Sequence, residues 1–301
     1  EIGVRLVGSE MCIRDRYLLA LIPAIGWGAM PLITGKIGGS PVNQMFGIGA
    51  GASIVGIIAY LITKPTVSVT AFWFSLAIGC LWTIGQVGQF ISFKHMGVSN
   101  TMPLSSAFVL VMTSFVGIFF FDEWQGARAL SIGLTACVVV IIGAVLTSIS
   151  DGTSDKKVST KWVLFLLVTT IGYCAYSIFP KMPQVAHESS QGIFLPEVLG
   201  ILLGSVIYTI CSGNAKAFKQ KEQYLNILGG LSWGIGNFAY VFVGKALGVV
   251  TASIFGQMNV IISTFGGILL LHETKTKREM IYTVVGIILI VIGSILTVIA
   301  N

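Results

Sequence analysis

Apolar runs long enough to cross a membrane recur along this chain from Tyr17 almost to its last residue. An α-helix needs about 20 such residues to span a hydrocarbon core roughly 30 Å thick. The pattern therefore predicts an all-α integral membrane protein with ten transmembrane helices. The predicted spans are Tyr17–Lys36, Val42–Thr63, Val69–Phe93, Asn100–Phe121, Ala127–Ser148, Trp162–Pro180, Gly192–Cys211, Leu225–Val243, Val249–Leu271 and Met280–Ala300.

The longest polar connection, "SDGTSDKKVSTK", lies at the midpoint of the chain. It divides the spans into a first five-helix unit at 17–149, a linker at 150–161 and a second five-helix unit at 162–301. Residues 1–16, "EIGVRLVGSEMCIRDR", have four charged residues in their last seven positions and do not continue the apolar pattern. We expect this segment to be a spurious leader, such as the translated read-through of a sequencing adapter.

The two halves resemble each other in sequence. Shifting "GCLWTIGQVGQF" by 151 positions places it on "GLSWGIGNFAYV", which pairs Trp82 with Trp233 and Gln86 with Asn237. A shift of 150 positions then superimposes "TSFVGIFFFDE" on "STFGGILLLHE". Chance similarity between apolar halves is the alternative, but apolar composition alone does not produce Trp and amide matches in one register. The matches predict an internal repeat.

An odd number of spans in each half forces the second copy to enter the membrane from the opposite side. The fold class predicted is therefore two inverted five-helix repeats, an arrangement found in secondary transporters. In such proteins the substrate site lies near the membrane midplane, where the two repeats meet.

Composition agrees with this class, since 54% of the 301 residues are hydrophobic, 10% are charged and the mean hydropathy is +0.89. The net charge of +6 lies in the connections, where it sets topology and does not indicate a nucleic-acid partner. Eleven basic residues follow odd-numbered spans and four follow even-numbered spans. The positive-inside rule thus predicts a multi-pass membrane protein with both termini outside, when Arg5, Arg14 and Arg16 of the leader are left out of the count. The two sets are Lys36, Lys94, Lys156, Lys157, Lys161, Lys216, Lys219, Lys221, Lys275, Lys277 and Arg278, and Lys64, Arg128, Lys181 and Lys245.

Sequence motifs for catalysis are missing. The five cysteines have no CxxC spacing and indicate neither a disulfide framework nor a metal site, so we expect no cofactor. The chain contains no HExxH, no GxSxG, no paired intramembrane aspartates and no Walker-type loop that could power a pump. An enzyme is therefore not expected.

Several longer stretches resemble a known family. They are "GVSNTMPLSS" from Gly97, "LSWGIGN" from Leu231, "GVVTASIFGQMNVIISTFGGILLLHE" from Gly248 and, more loosely, "GGSPVNQMFG" from Gly38. They are similar to the glucose/ribose porter family of the drug/metabolite transporter superfamily, and most of all to its bacterial glucose uptake proteins. This resemblance implies a ten-helix carrier for sugar uptake, coupled to protons. The chain departs from the pattern at Glu197, where the resemblance implies an amide.

Two helix faces combine aromatic and amide side chains. Trp82, Gln86 and Gln89 are spaced i, i+4, i+7 and share a face, as do the matched Trp233, Asn237 and Tyr240. Amides can donate to and accept from sugar hydroxyls, and aromatic rings can pack on the C–H faces of a sugar. These residues are thus predicted to bind substrate. The alternative is that the amides only hold helices together, which contributes about 0.6–2 kcal/mol each.

Three further residues are candidates for substrate binding. Gln257 lies in the ninth span, and Gln44 opens the second span, where it could instead be an interfacial cap. Trp27 and its match Tyr173 follow an Ile-Gly pair in the first and sixth spans. These two could line a cavity or be ordinary aromatic residues of a helix.

Glu197 is predicted to couple transport to protons. It follows Pro196 in the seventh span, and its match in the first half is the neutral Gln44. An acid inside a membrane is by default a functional candidate, because burial disfavours its charged form. The alternative is a helix-end charge in contact with water. The predicted function is proton-coupled uptake of a neutral sugar across the lipid bilayer, and the alternative is export or exchange of a drug or metabolite on the same fold.

Overall fold

The computed structural model describes residues 2–151, 157–247 and 249–300, with side chains described for 19–151, 157–240, 243 and 255–300. All long elements in these residues are helical. Five helices form the first half: α1 Ile2–Ile37, α2 Pro41–Thr63, α3 Val69–Met96, α4 Val98–Phe120 and α5 Gly126–Thr147. The second half contains α6 Thr160–Thr169, α7 Ile171–Ile178, α8 Ser190–Cys211, α9 Lys221–Leu225, α10 Ile227–Leu247, α11 Val249–Leu270 and α12 Lys277–Ala300.

Eight helical segments in the described residues are long and apolar enough to cross a membrane. They are Leu19–Ile37 of α1, the full lengths of α2, α3, α4, α5, α8 and α12, and Thr160–Lys181, which joins α6 and α7. Helices α10 and α11 are 21 and 22 residues long, but the side chains of 241–242 and 244–254 lie outside the description. The predicted helical membrane architecture is confirmed, and the count of ten spans stays a prediction.

Serine caps mark where several helices begin. The hydroxyl of Ser40 accepts from the backbone N–H of Asn43, and the Asn43 side chain accepts from the backbone N–H of Ser40, with Pro41 opening the first turn of α2. The hydroxyls of Ser68 and Ser189 likewise accept from the backbone N–H groups of Ala71 and Gly192 in the first turns of α3 and α8. Each cap satisfies an N–H that has no partner within the helix.

The sixth span is divided into two helices. Thr170 lies between α6 and α7, and both its hydroxyl and its backbone N–H donate to the carbonyl of Leu166, over 2.7 and 2.9 Å. After α7 a single 3₁₀ turn, Phe179–Lys181, contains Pro180, which cannot continue the backbone bonding of a helix. The sequence predicted one continuous helix here, because apolar content does not reveal this break.

The two halves pack against each other along most of their length. Helix α1 packs on α10 and α11, α2 packs on α8 and α10, and α3 packs on α7 and α8. Helix α5 packs mainly on α12, at the side of the bundle. The largest hydrophobic core lies where α2, α3 and α8 meet, and it contains Met45, Phe90, Phe194 and Ile201. The polar residues discussed next are positioned by this core.

Candidate functional site

Two glutamines of α3 point into the helix bundle. Gln86 is 1% exposed and Gln89 is also buried. The Gln86 amide nitrogen donates to Gln89 Oε1 over 3.2 Å, and the Gln89 amide nitrogen donates to Ser105 Oγ of α4 over 2.9 Å. A buried amide without partners would cost roughly 1–3 kcal/mol. These bonds therefore hold both side chains in a defined orientation inside the membrane.

Tyr173 of α7 reaches both glutamines from the other half. Its hydroxyl oxygen lies 2.9 Å from Gln86 Oε1 and 3.3 Å from Gln89 Oε1. A hydroxyl has one hydrogen, so it donates to one of these oxygens at a time. The glutamine pair is thus bonded across the junction of the two halves.

Aromatic rings cover the glutamines on one side. The ring of Trp82 lies 4.8 Å from that of Trp233, 5.5 Å from that of Tyr173 and 6.2 Å from that of Tyr176, measured between centroids. The two tryptophans come from α3 and α10, one from each half. Both are buried, at 4% and 6% exposure. Their contact joins the two aromatic and amide faces that the sequence predicted.

Tyr176 links the amide of one helix to the acid of another. Its hydroxyl accepts from the Asn237 amide nitrogen over 3.1 Å and donates to Glu197 Oε2 at 3.5 Å. Glu197 lies seven positions into α8 and is 6% exposed. Within the described side chains, no lysine or arginine forms an ion pair with it. The acid thus lies inside the bundle, beside the amide of α10.

Trp27 lies beside the residues described above, because its ring packs on Gly236, the residue before Asn237. The rings of Trp27 and Tyr240 are 5.3 Å apart, and Trp27 also packs on Gly256, the residue before Gln257 in α11. The indole nitrogen of Trp27 is buried without a hydrogen-bond partner among the described residues. This nitrogen has almost no exposed surface, so it could donate to a ligand only if the helices around it move apart.

Gln44 lies elsewhere. Its amide nitrogen donates over 3.1 Å to the carbonyl of Thr34 near the end of α1, and its neighbour Asn43 bonds to Gln220 and Gln223 on the surface connection before α10. The structure therefore does not bring Gln44 together with the other candidates. Its predicted role in binding stays a prediction without support from this placement.

The predicted faces meet, but two members of the cluster were not predicted. Tyr176 and Ser105 are the additions, and Tyr176 could have been found because it lies three residues after Tyr173, on the same side of α7. Ser105 has no comparable signal in the sequence. We use the name central cluster for Trp82, Gln86, Gln89, Ser105, Tyr173, Tyr176, Glu197, Trp233 and Asn237.

A second polar contact between the halves lies at the end of the bundle. The Glu273 carboxylate accepts from the backbone N–H groups of Val98 and Ser99 over 2.6 and 2.8 Å, at the start of α4. Lys275 donates to Asn100 Oδ1 over 2.7 Å. Burial lowers the pKa of Lys275, and two nearby glutamates oppose this effect. These bonds join the α3–α4 connection to the α11–α12 connection.

A family model described as "Sugar transport protein" matches residues 18–300. Among curated proteins, the chain is 45% identical over 278 residues to a "Putative sugar uptake protein" of Lactobacillus helveticus, covering 92% of this chain and 98% of that protein. It is 38% identical over 283 residues to "Glucose uptake protein GlcU" of Bacillus subtilis strain 168, covering 92% and 96%. A solved structure titled only "Crystal structure of protein" matches with a TM-score of 0.58 at 14% identity, covering 94% of this chain and 97% of the other. That last likeness concerns the fold alone.

Proposed function

Because the chain belongs to the sugar transport protein family, we propose that it is a secondary carrier that takes up a neutral sugar, of glucose or ribose type, together with a proton. Its family and its named relatives are sugar transporters, and this chain is likewise a transporter and not an enzyme. The observation that carries the proposal is the central cluster, in which paired amides and aromatic rings from both halves meet inside the membrane. This is a lining that suits a neutral sugar, because amides bind hydroxyls in either sense.

We propose ten spans arranged as two inverted repeats. Each helix of the first half has a counterpart in the second half: α1 corresponds to α7, α2 to α8, α3 to α10, α4 to α11 and α5 to α12. If every helix is exchanged for its counterpart, the contacts between helices are converted into other contacts that the structure also contains. The α1–α10 contact becomes α7–α3, the α1–α11 contact becomes α7–α4, and the α2–α10 contact becomes α8–α3. The α2–α8, α4–α11 and α5–α12 contacts are each converted into themselves. A two-fold relation between the halves has this property.

Matched glycines support the same relation. A Cβ on Gly26 of α1 would lie 2.6 Å from the carbonyl oxygen of Ser232 and 2.8 Å from Gly236 Cα. A Cβ on Gly172 of α7 would meet the carbonyl oxygen of Leu81 and would lie 2.8 Å from Gly85 N. The internal alignment pairs these residues one by one. In both halves, glycine lets two backbones approach closely.

Transport through this site requires the halves to separate. The members of the central cluster bond to or pack on each other, and all except the partly exposed Tyr176 and Asn237 are buried. A sugar must therefore replace contacts such as that between Trp82 and Trp233. Rocking of one repeat against the other would open the cluster to each side in turn. The charge count further supports a bacterial plasma membrane orientation with both termini outside.

Proton coupling is proposed to act through Tyr176. When Glu197 is ionised, the Tyr176 hydroxyl donates its hydrogen to the carboxylate. When Glu197 takes up a proton, its carboxyl donates to the Tyr176 oxygen, and the tyrosine hydrogen becomes available to a sugar hydroxyl. The Asn237 amide donates to Tyr176 in either state. Protonation would thus add one hydrogen-bond donor to the site, which makes sugar binding favour the protonated carrier.

The alternative is export or exchange of another metabolite on the same fold. The unpaired carboxylate of Glu197 is the feature that favours it, because a cationic substrate could pair with that group. Uptake of labelled glucose, ribose and rhamnose into proteoliposomes, with and without an imposed pH gradient, distinguishes the two. Accumulation of one sugar that depends on the gradient is expected. The absence of uptake with all three sugars would favour the metabolite exporter.

A further inference from the structure

An apolar groove of about 610 Å³ lies between α4, α5 and α6. Its volume is in the usual range for ligand sites, about 300–1,000 Å³. No member of the central cluster lines it, so it is separate from the proposed sugar site. Its lining includes Leu104, Phe108 and Val111 of α4, Val145 of α5, and Val163 and Leu167 of α6.

The groove begins at one membrane surface and extends inward. Ser148 and Ile149 line it where α5 ends, and Val163 lines it close to the beginning of α6, so this end adjoins the connection between the halves. From Leu104 to Val111 the groove follows α4 for about 10 Å, given a rise of 1.5 Å per residue. A groove of this direction and depth lies alongside the acyl chains of one leaflet.

Basic and aromatic residues surround the surface end of the groove. Trp162 packs with Val158 and Val163 on a buried cluster that includes Leu104, Ala107 and Ala144 of the groove lining. The Lys161 ammonium lies 5.0 Å from the Trp162 ring centroid, and the His95 ring stacks on Trp162 at 3.6 Å. Tryptophan commonly lies at the headgroup level of a bilayer.

The charges at this end are available to an anion. Lys157 and Lys161 are exposed, and neither is in an ion pair with a described acidic group. The nearby acid Asp151 is paired with Arg278 over 3.2 Å and accepts from the Thr276 hydroxyl. Lys157 and Lys161 therefore place positive charge next to an apolar surface.

We propose that this groove binds an anionic phospholipid, with one acyl chain along α4, α5 and α6 and the headgroup phosphate against Lys157 and Lys161. The acyl chain and the phosphate of such a lipid each match a part of the groove, because the groove is apolar along its length and basic only at its surface end. Basic surfaces between transmembrane helices attract anionic headgroups. The ligand is a lipid of the leaflet that adjoins the 150–161 connection.

Phosphatidylglycerol and phosphatidylcholine, each titrated onto the detergent-purified full chain, test this proposal by native mass spectrometry and thermal unfolding. We expect one retained phosphatidylglycerol and an increase in unfolding temperature, with little effect of phosphatidylcholine. Replacing both lysines (Lys157→Gln with Lys161→Gln) should remove this preference. The matched control, Lys216→Gln with Lys219→Gln, removes the same charge from another exposed connection and should keep it.

A second variant tests the groove itself without disturbing the core. Val145 is 60% exposed and lines the groove, so Val145→Trp fills it from the lipid side. Retention of phosphatidylglycerol should fall, whereas Val138→Trp, at a 55% exposed position of α5 outside the lining, should have no effect. Equal retention of the two lipids, or unchanged binding by both variant types, would overturn the proposal.

Discussion

The rings of Trp82 and Trp233 touch across the junction of the two halves, with 4.8 Å between their centroids. The internal alignment of the sequence pairs these same two residues. In a two-fold arrangement, a residue and its counterpart can meet only near the axis. The contact therefore locates the region where the axis of the proposed repeat passes, and it lies beside the amides Gln86 and Asn237.

Alanine at either amide is expected to weaken sugar binding. Gln86→Ala and Asn237→Ala each remove hydrogen bonds worth about 0.5–1.5 kcal/mol, so the apparent affinity for the sugar should fall by a factor of about 2 to 13. The concentration dependence of uptake in proteoliposomes measures this effect. Both variants should still insert in the membrane, because the surrounding apolar packing is retained.

Gln44→Ala provides the matched control, since Gln44 binds the carbonyl of Thr34 away from the cluster. Its apparent sugar affinity should equal that of the unaltered chain. If the cluster amides only hold helices together, Gln86→Ala and Asn237→Ala will lower the unfolding temperature and leave the affinity unchanged. That result would contradict their role in binding.

Valine at Gly172 is expected to destabilise the protein. The new side chain would meet the backbone of Leu81 and Gly85 in α3, where a Cβ already has no room. Overpacking of this kind costs about 1–3 kcal/mol. Gly26→Val should have a similar effect at the matched contact of α1 with α10. Thermal unfolding in detergent measures both, and the control is Ile171→Val at the 60% exposed neighbouring position.

Helical periodicity was sufficient to predict the two amide and aromatic faces. The spacing i, i+4, i+7 places Gln86 and Gln89 on the same face of α3 as Trp82, and that face is buried. It could not predict the position of Gln44, whose partner is a carbonyl of another helix. The division of the sixth span at Thr170 is a local change in the backbone that an average over apolar content does not detect. Tyr176 was missed for a further reason, since its proposed role depends on contact with an acid 21 positions away in the sequence.

The orientation of the chain can be tested at the α11–α12 connection. Lys275 bonds to Asn100 and is half-buried, so the exposed neighbour Thr274 is the better labelling site. In a variant without native cysteines, Thr274→Cys should be protected from a membrane-impermeant thiol reagent in intact cells. Gln184→Cys, in the exposed α7–α8 connection, should react. The reverse labelling pattern would show that both termini are cytoplasmic.

Glutamine at position 197 is expected to separate sugar movement from proton movement. Glu197→Gln keeps the size of the side chain and remains neutral, so the carrier should exchange labelled for unlabelled sugar but fail to accumulate it against a gradient. Glu188→Gln removes a carboxylate from the surface connection before α8 and should accumulate sugar normally. If Glu197→Gln accumulates sugar with the pH dependence of the unaltered chain, Glu197 does not couple transport to protons.

Phenylalanine at position 176 tests the path between the acid and the sugar. If protonation of Glu197 frees the Tyr176 hydrogen for the sugar, apparent affinity should rise as the pH falls, and Tyr176→Phe should abolish this dependence. Tyr173→Phe is the matched control, because it removes an equivalent hydroxyl that contacts Gln86 instead of Glu197. It should lower the affinity by a similar factor at every pH. Both variants are measured by sugar exchange over a range of pH, without a gradient. Retention of the pH dependence in Tyr176→Phe would show that the acid acts on the sugar by another path.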